Sequence, residues 1–434
     1  MRWFADYGLL PTGLARSVLF EESQGRFTAV TAGAEPAGAS HLAGVVLPGL
    51  ANCHSHAFHR ALRGRTHEGG GTFWTWRERM YALAGRLSPD KYLALARATY
   101  AEMVLAGVTA VGEFHYLHHA PGGVRYRDPN AMAEALRQAA VDAGLRLTLL
   151  DTCYLAGGLT ADGHVGLDET QRRFSDGSAD AWAERVDALA PSPGMRVGVA
   201  VHSVRAVPLP ALPSVAAAAA GRPLHVHLSE QPAENAACLG FYGRTPTAML
   251  DEAGLLSPAT TAVHATHASA ADIARLGRTR TTACLCPTTE ADLGDGIGPA
   301  RALLDAGAPL SLGSDQQGVI DLLAEGRALE MHERLRSQQR GRFTPAELLR
   351  ALTRHQSIGW DGGRLEVGAR ADLVAVSLAS PRTAGASPAQ VLLVATAADV
   401  TTVIVDGRTV VEGGRHVLGD VGALLREAIE PLVP

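Results

Sequence analysis

The sequence predicts an α/β fold, a TIM-type (β/α)8 barrel with a small β-sandwich domain built from both chain ends. Three observations predict it. Between about residues 49 and 360, short apolar runs recur eight times. Stretches rich in Ala, Leu, Arg and Glu separate them, as in PDKYLALARATYAEMVLAG and PNAMAEALRQAAVDAG. Repeated strand–helix units imply a parallel sheet, and eight of them close a barrel. The two ends of the chain read differently. SVLFE and RFTAVTAG near the start, and ADLVAVSL and VTTVIVDGRTVVEGGRHV near the end, alternate like antiparallel strands. Asp406-Gly407 is a hairpin signal. The expected division is residues 1–48 and 361–434 for the two parts of the β-domain, and 49–360 for the barrel.

The eight runs carry polar residues at their C-terminal sides. GVVLPGLANCHSH ends in His54 and His56, with His59 close behind. GVTAVGEFHY brings Glu113, His115 and Tyr116, and RLTLLDTCY brings Asp151. RVGVAVHSV leads to His202 and Arg205, PLHVHLSE to His227 and Glu230, and TTAVHATH to His264 and His267. TACLCPTTE carries Thr288, Thr289 and Glu290, and APLSLGSD closes on Asp315. Active sites of such barrels sit at the C-terminal face, where the loops converge.

Composition narrows the function classes. Of the 434 residues 47% are hydrophobic, enough for a large core, and the net charge of −5 offers a polyanion nothing. Nucleic acid is therefore not an expected partner. No leader pattern and no run of about 18 apolar residues is found, so neither secretion nor a membrane span is expected. Cys53, Cys153, Cys238, Cys284 and Cys286 are odd in number and scattered. They read as free thiols in a reducing compartment, which points to the cytoplasm. Cys284 and Cys286 have no second pair to complete a zinc knot.

His54 and His56 stand two apart on a strand, so their rings share a face and can chelate one cation. His225 and His227 alternate in the same way, and one of them would complete three nitrogen ligands. Asp315 offers a carboxylate. Three His and one Asp form a borderline-hard set suited to one divalent ion, zinc first and iron second, with room for water.

With these motifs in place the chain resembles the amidohydrolase superfamily, through its H-x-H, His227, His264 and Asp315. The resemblance spans essentially the whole sequence. Lysine-bridged binuclear members need a lysine on the fourth strand; the single lysine here is Lys91, in the first helical region. The mononuclear deaminase branch fits, with HLSE as its H-x-x-E signature. NCHSHAFHRA, TFWTWRERMY, HSVRAV, HLSEQ, VHATH and CPTTEADLGDG together resemble the formimidoylglutamate deiminases. Such enzymes convert N-formimino-L-glutamate and water to N-formyl-L-glutamate and ammonia in histidine degradation, and a homodimer is expected.

The resemblance implies His54, His56, His227 and Asp315 as metal ligands, and Glu230, His264 and Asp315 as catalytic groups. A small substrate with two carboxylates calls for fixed donors, and Arg forks suit them. Arg205, Arg77, Arg79, Tyr116, His202 and His59 are the substrate-binding candidates. FWTWRERMY reads equally as an amphipathic lid helix, and Arg205 equally as a structural salt bridge. His59 stands where the family shows Gln, and Gln316-Gln317 where Ser-His is expected. A rival function is another mononuclear deaminase acting on a purine- or pyrimidine-type base.

Overall fold

A computed structural model describes residues 1–67 and 71–433, with the side chain of Phe73 outside the description. Eight parallel strands pair in chain order: Leu50–Ser55, Val108–His115, Arg146–Cys153, Met195–Val201, Leu224–Leu228, Thr260–His264, Thr282–Leu285 and Leu310–Leu312. The first, second and third are buried along their whole length, as a parallel sheet covered on both faces requires. The barrel closes between its first and last strands through one bridge, Ser55 to Asp315. Asp315 N donates to His54 O at 3.0 Å, and His56 N donates to Asp315 O at 3.1 Å. The backbone that seals the cylinder is thus the backbone of three predicted ligands.

Both chain ends join one second sheet of eight strands. Arg2–Leu10, Gly13–Ser23, Arg26–Thr31 and Ser40–Pro48 come from the start; Leu373–Val376, Val400–Val405, Arg408–Glu412 and Arg415–His416 come from the end. The halves meet where Leu373–Val376 runs antiparallel to Ser40–Pro48. Asp406 and Gly407 turn the expected hairpin with φ of 48° and 76°. Trp3, Phe20, Phe27 and Ile404 give this sheet its own core.

One expectation is corrected here. GVVLPGLANCHSH is two strands: Val45–Pro48 finishes a strand of the outer sheet, and Leu50 starts the barrel. Gly49 makes the crossing, because a Cβ there would come within 2.3 Å of Thr109 Oγ1. Among the described residues no helix is long and apolar enough to cross a membrane.

Candidate metal centre and active site

At the C-terminal face, His54, His56, His227, His264, Glu230 and Asp315 are all buried. His227 Nε2 lies 3.1 Å from His54 Nε2 and 3.4 Å from His56 Nε2. Asp315 Oδ1 lies 3.4 and 3.5 Å from the same two nitrogens. The four predicted ligands therefore point at one spot. Ligands held about 2.1 Å from a tetrahedral ion stand about 3.4 Å apart, so the spacing matches a single small cation.

Proton bookkeeping strengthens the fit. His56 Nδ1 donates to Phe114 O at 3.0 Å, and His227 Nδ1 donates to His202 O at 2.9 Å. A carbonyl only accepts, so the proton of each neutral ring sits on Nδ1 and its lone pair on Nε2. Burial, reinforced by neighbouring imidazoles, holds His54, His56 and His227 below the ordinary histidine range, His56 at about 3. The facing Nε2 atoms of His56 and His227 are then two lone pairs, which repel unless a cation lies between them. These residues fit a divalent ion.

His264 sits beside the ligands with different chemistry. Its Nε2 is 3.7 Å from both Glu230 Oε1 and Asp315 Oδ2, and its Nδ1 is 3.3 Å from Glu290 Oε1. Burial works against its charge, but Glu230, Glu290 and Asp315 outweigh burial and raise it to about 10. His264 (φ 69°) and Asp315 (φ 42°) occupy left-handed backbone. Such strain costs of order 1–3 kcal/mol each and persists where surroundings over-determine it. Gly313 is part of that enforcement, since a Cβ would lie 2.7 Å from His54 Cβ and from His54 O. Gly313→Ala is expected to cost about 1–3 kcal/mol of stability by overpacking and to lower metal occupancy, read by thermal unfolding and metal analysis.

A pocket opens over the centre, lined by His56, His59, Tyr116, His202, His227, Glu230, Arg205 and Asp315. Its roof is a helix, Phe73–Ala84, from which Trp76, Arg77, Met80 and Tyr81 face inward. Arg77 stacks over Trp74 and Tyr81 and reaches Gly157 O at 3.4 Å. Tyr116 Oη lies 3.0 Å from His59 Nε2.

Two substrate-binding expectations change. Arg79 is exposed, donates to Arg65 O, and does not line the pocket. Arg205 lines it, but its Nη2 meets Glu230 Oε2 at 3.1 Å and its Nε meets Glu234 Oε2 at 3.1 Å. Arg205 therefore holds Glu230 as well as facing the pocket. Sequence reading gave no role to Glu234, Glu290, Tyr154 or Gln171. Gln171 Nε2 ties Tyr81 Oη (3.0 Å), Tyr154 Oη (3.1 Å) and Gly157 O (3.0 Å) together beneath the roof. Tyr154 directly follows the third strand and Glu290 sits on the short helix Pro287–Asp292 after the seventh, so both were findable by position; Gln171 opens a one-turn 3-10 helix, Gln171–Phe174, far from any barrel-strand end and with no such signal. Of the alternating pair on the fifth strand, His225 donates to Ser357 O at 2.9 Å away from the centre, and His227 is the one that faces it.

Barrel, ligand set and acid cluster define a metal-dependent hydrolase, and the comparisons agree. The Amidohydrolase family model matches residues 45–410, and the chain belongs to the amidohydrolase family. That family is metal-dependent, and the chain is a hydrolase acting on carbon–nitrogen bonds. It is 39% identical to the formimidoylglutamate deiminase of Pseudomonas aeruginosa over 95% of both chains. It is 32% identical to the 8-oxoguanine deaminase of the same organism, over 88% of this chain and 85% of that one. The crystal structure of an amidohydrolase from Brucella melitensis superposes over all of both chains with a TM-score of 0.92 at 32% identity.

Proposed function

We propose that this chain hydrolyses N-formimino-L-glutamate to N-formyl-L-glutamate and ammonia. The observation that carries it is a mononuclear ligand set beneath a pocket whose walls include two guanidinium groups. His54, His56, His227 and Asp315 would hold one divalent ion, with zinc favoured over iron by the nitrogen-rich set. What such an ion supplies when bound is acidified water, with a pKa lowered from about 15.7 to about 7.

The remaining steps belong to the chain. Asp315 accepts a proton from the attacking water. The water oxygen bonds to the formimino carbon, and His264 donates a hydrogen bond to that oxygen as charge develops. Glu230 carries the proton taken up by Asp315 to the departing nitrogen; the hydroxyl proton of the adduct then passes to Asp315 as the carbon–oxygen double bond forms, the carbon–nitrogen bond breaks, and ammonia leaves. Glu230 and Asp315 also attract the cationic amidine end. Arg77, Arg205, His202, Tyr116 and His59 receive the carboxylate end. A cytoplasmic homodimer made of a barrel over 49–360 and a β-domain over 1–48 and 361–434 accompanies this reading.

The second reading, deamination of an aromatic base, is favoured by the 32% identity to the 8-oxoguanine deaminase and by the aromatic lining of the pocket. Ammonia release decides between them. Formiminoglutamate should be turned over with kcat/KM of about 10⁴ M⁻¹s⁻¹ or more, with 8-oxoguanine and guanine far slower; the reverse order favours the base deaminase. Arginine variants refine the test. Arg77→Met should raise KM with kcat nearly kept, because it removes uniform binding. Arg205→Met should raise KM and lower kcat together, because Glu230 loses its partner.

A further inference from the structure

The seam between the first and last barrel strands carries a chain of buried side chains that the proposed chemistry does not use. Asn52 Nδ2 donates to Ser314 Oγ at 2.6 Å, and Asn52 Oδ1 accepts from Ser314 N at 3.0 Å. Ser314 Oγ donates to Gln317 Oε1 at 2.7 Å. Gln317 Nε2 donates to Ser55 Oγ at 2.8 Å and to Asp315 O at 3.0 Å. Ser55 Oγ donates to Glu113 Oε2 at 2.6 Å, and Glu113 Oε1 accepts from Ala57 N at 2.6 Å. Every hydroxyl in the relay gives one proton and accepts one bond, so the direction is consistent from Asn52 to Glu113.

Position gives the relay its meaning. Ser55 lies between His54 and His56, while Ser314 and Gln317 flank Asp315. Gln317 is fully buried and holds a left-handed φ of 62°, a conformation that costs a non-glycine residue about 1–2 kcal/mol. Backbone pairing at this seam is a single bridge, too little to fix strand spacing alone.

We propose that Gln317 is a positioning residue, the clasp that keeps His54 and His56 at the distance from Asp315 where all three reach one cation. The inference rests on the metal reading above and adds a residue that touches neither metal nor substrate. His227, on another strand, lies outside the clasp.

The test uses zinc-loaded protein and a chromogenic chelator. Gln317→Met keeps the bulk and removes the amide bonds; Ser55→Ala cuts the same relay one link nearer Glu113. Zinc stoichiometry of the wild type is measured first. Both variants should release zinc about 10–100-fold faster than wild type, with kcat lowered and KM within about twofold. The double variant should be little faster than either single one, because both cut one chain. A merely structural role would lower the unfolding temperature of the metal-free protein and leave zinc release alone. Release within about threefold of wild type would overturn the clasp while the metal reading stands. A wild type that holds no zinc overturns both. If Gln317→Met does not fold, Ser55→Ala carries the test by itself.

Discussion

His227→Ala should reduce ammonia release to background and leave the purified protein unable to retain its metal. His227 Nε2 is within 3.4 Å of both other imidazole donors, so its loss opens one side of a three-nitrogen set. The remaining ligands cannot compensate, because His54 and His56 are fixed on one strand and Asp315 by the seam. The fold is spared. The imidazole contributes one hydrogen bond, from Nδ1 to His202 O, worth about 1 kcal/mol net. Relief of repulsion between buried rings offsets part of that. Metal analysis beside a thermal melt separates the effects, and full activity in the variant would refute the ligand assignment.

Glu230→Gln should keep the metal but lose the proton shuttle and one of the two charges that attract the amidine. Its kcat should fall by about 10²–10⁴, or about 2.7–5.4 kcal/mol of barrier at 1.36 kcal/mol per tenfold. The amide fills the same space, and Arg205 retains Glu234, so the pocket wall holds its shape. Stoichiometric zinc, with kcat falling far more than KM rises, is the expected signature. A variant that loses zinc would instead make Glu230 part of the ligand set. Single-turnover measurement of ammonia release reads the chemical step directly.

Much of this is legible in the sequence, for physical reasons. A barrel interior repeats one pattern eight times, and each strand end must deliver side chains into the same mouth. That is why His54 and His56, one of His225 and His227, and Asp315, scattered from the first barrel strand to the last, could be grouped by strand order, while the choice of His227 and the part of His264 came from the family resemblance.

What stayed hidden depended on phase and on loops. WRER offers two arginines, and only the phase of the helix chooses between them. At 100° per residue, Trp76, Arg77, Met80 and Tyr81 fall on one arc of about 140°, and Arg79 lies about 130° from its centre. The partners of Arg205 were equally invisible, because Glu234 belongs to the next helix, Pro232–Tyr242, and reaches back over the strand end. Pro48-Gly49 marked a break between two sheets, where the apolar run around it reads as a single strand.

Whether four side chains share a single cation can be seen in an anomalous-difference map from crystals of the zinc-loaded protein. It should show one peak at the barrel mouth, about 2.0–2.2 Å from the Nε2 atoms of His54, His56 and His227 and from an Asp315 oxygen. A peak on the Cys284 and Cys286 thiols instead, or two peaks sharing the mouth, would contradict it.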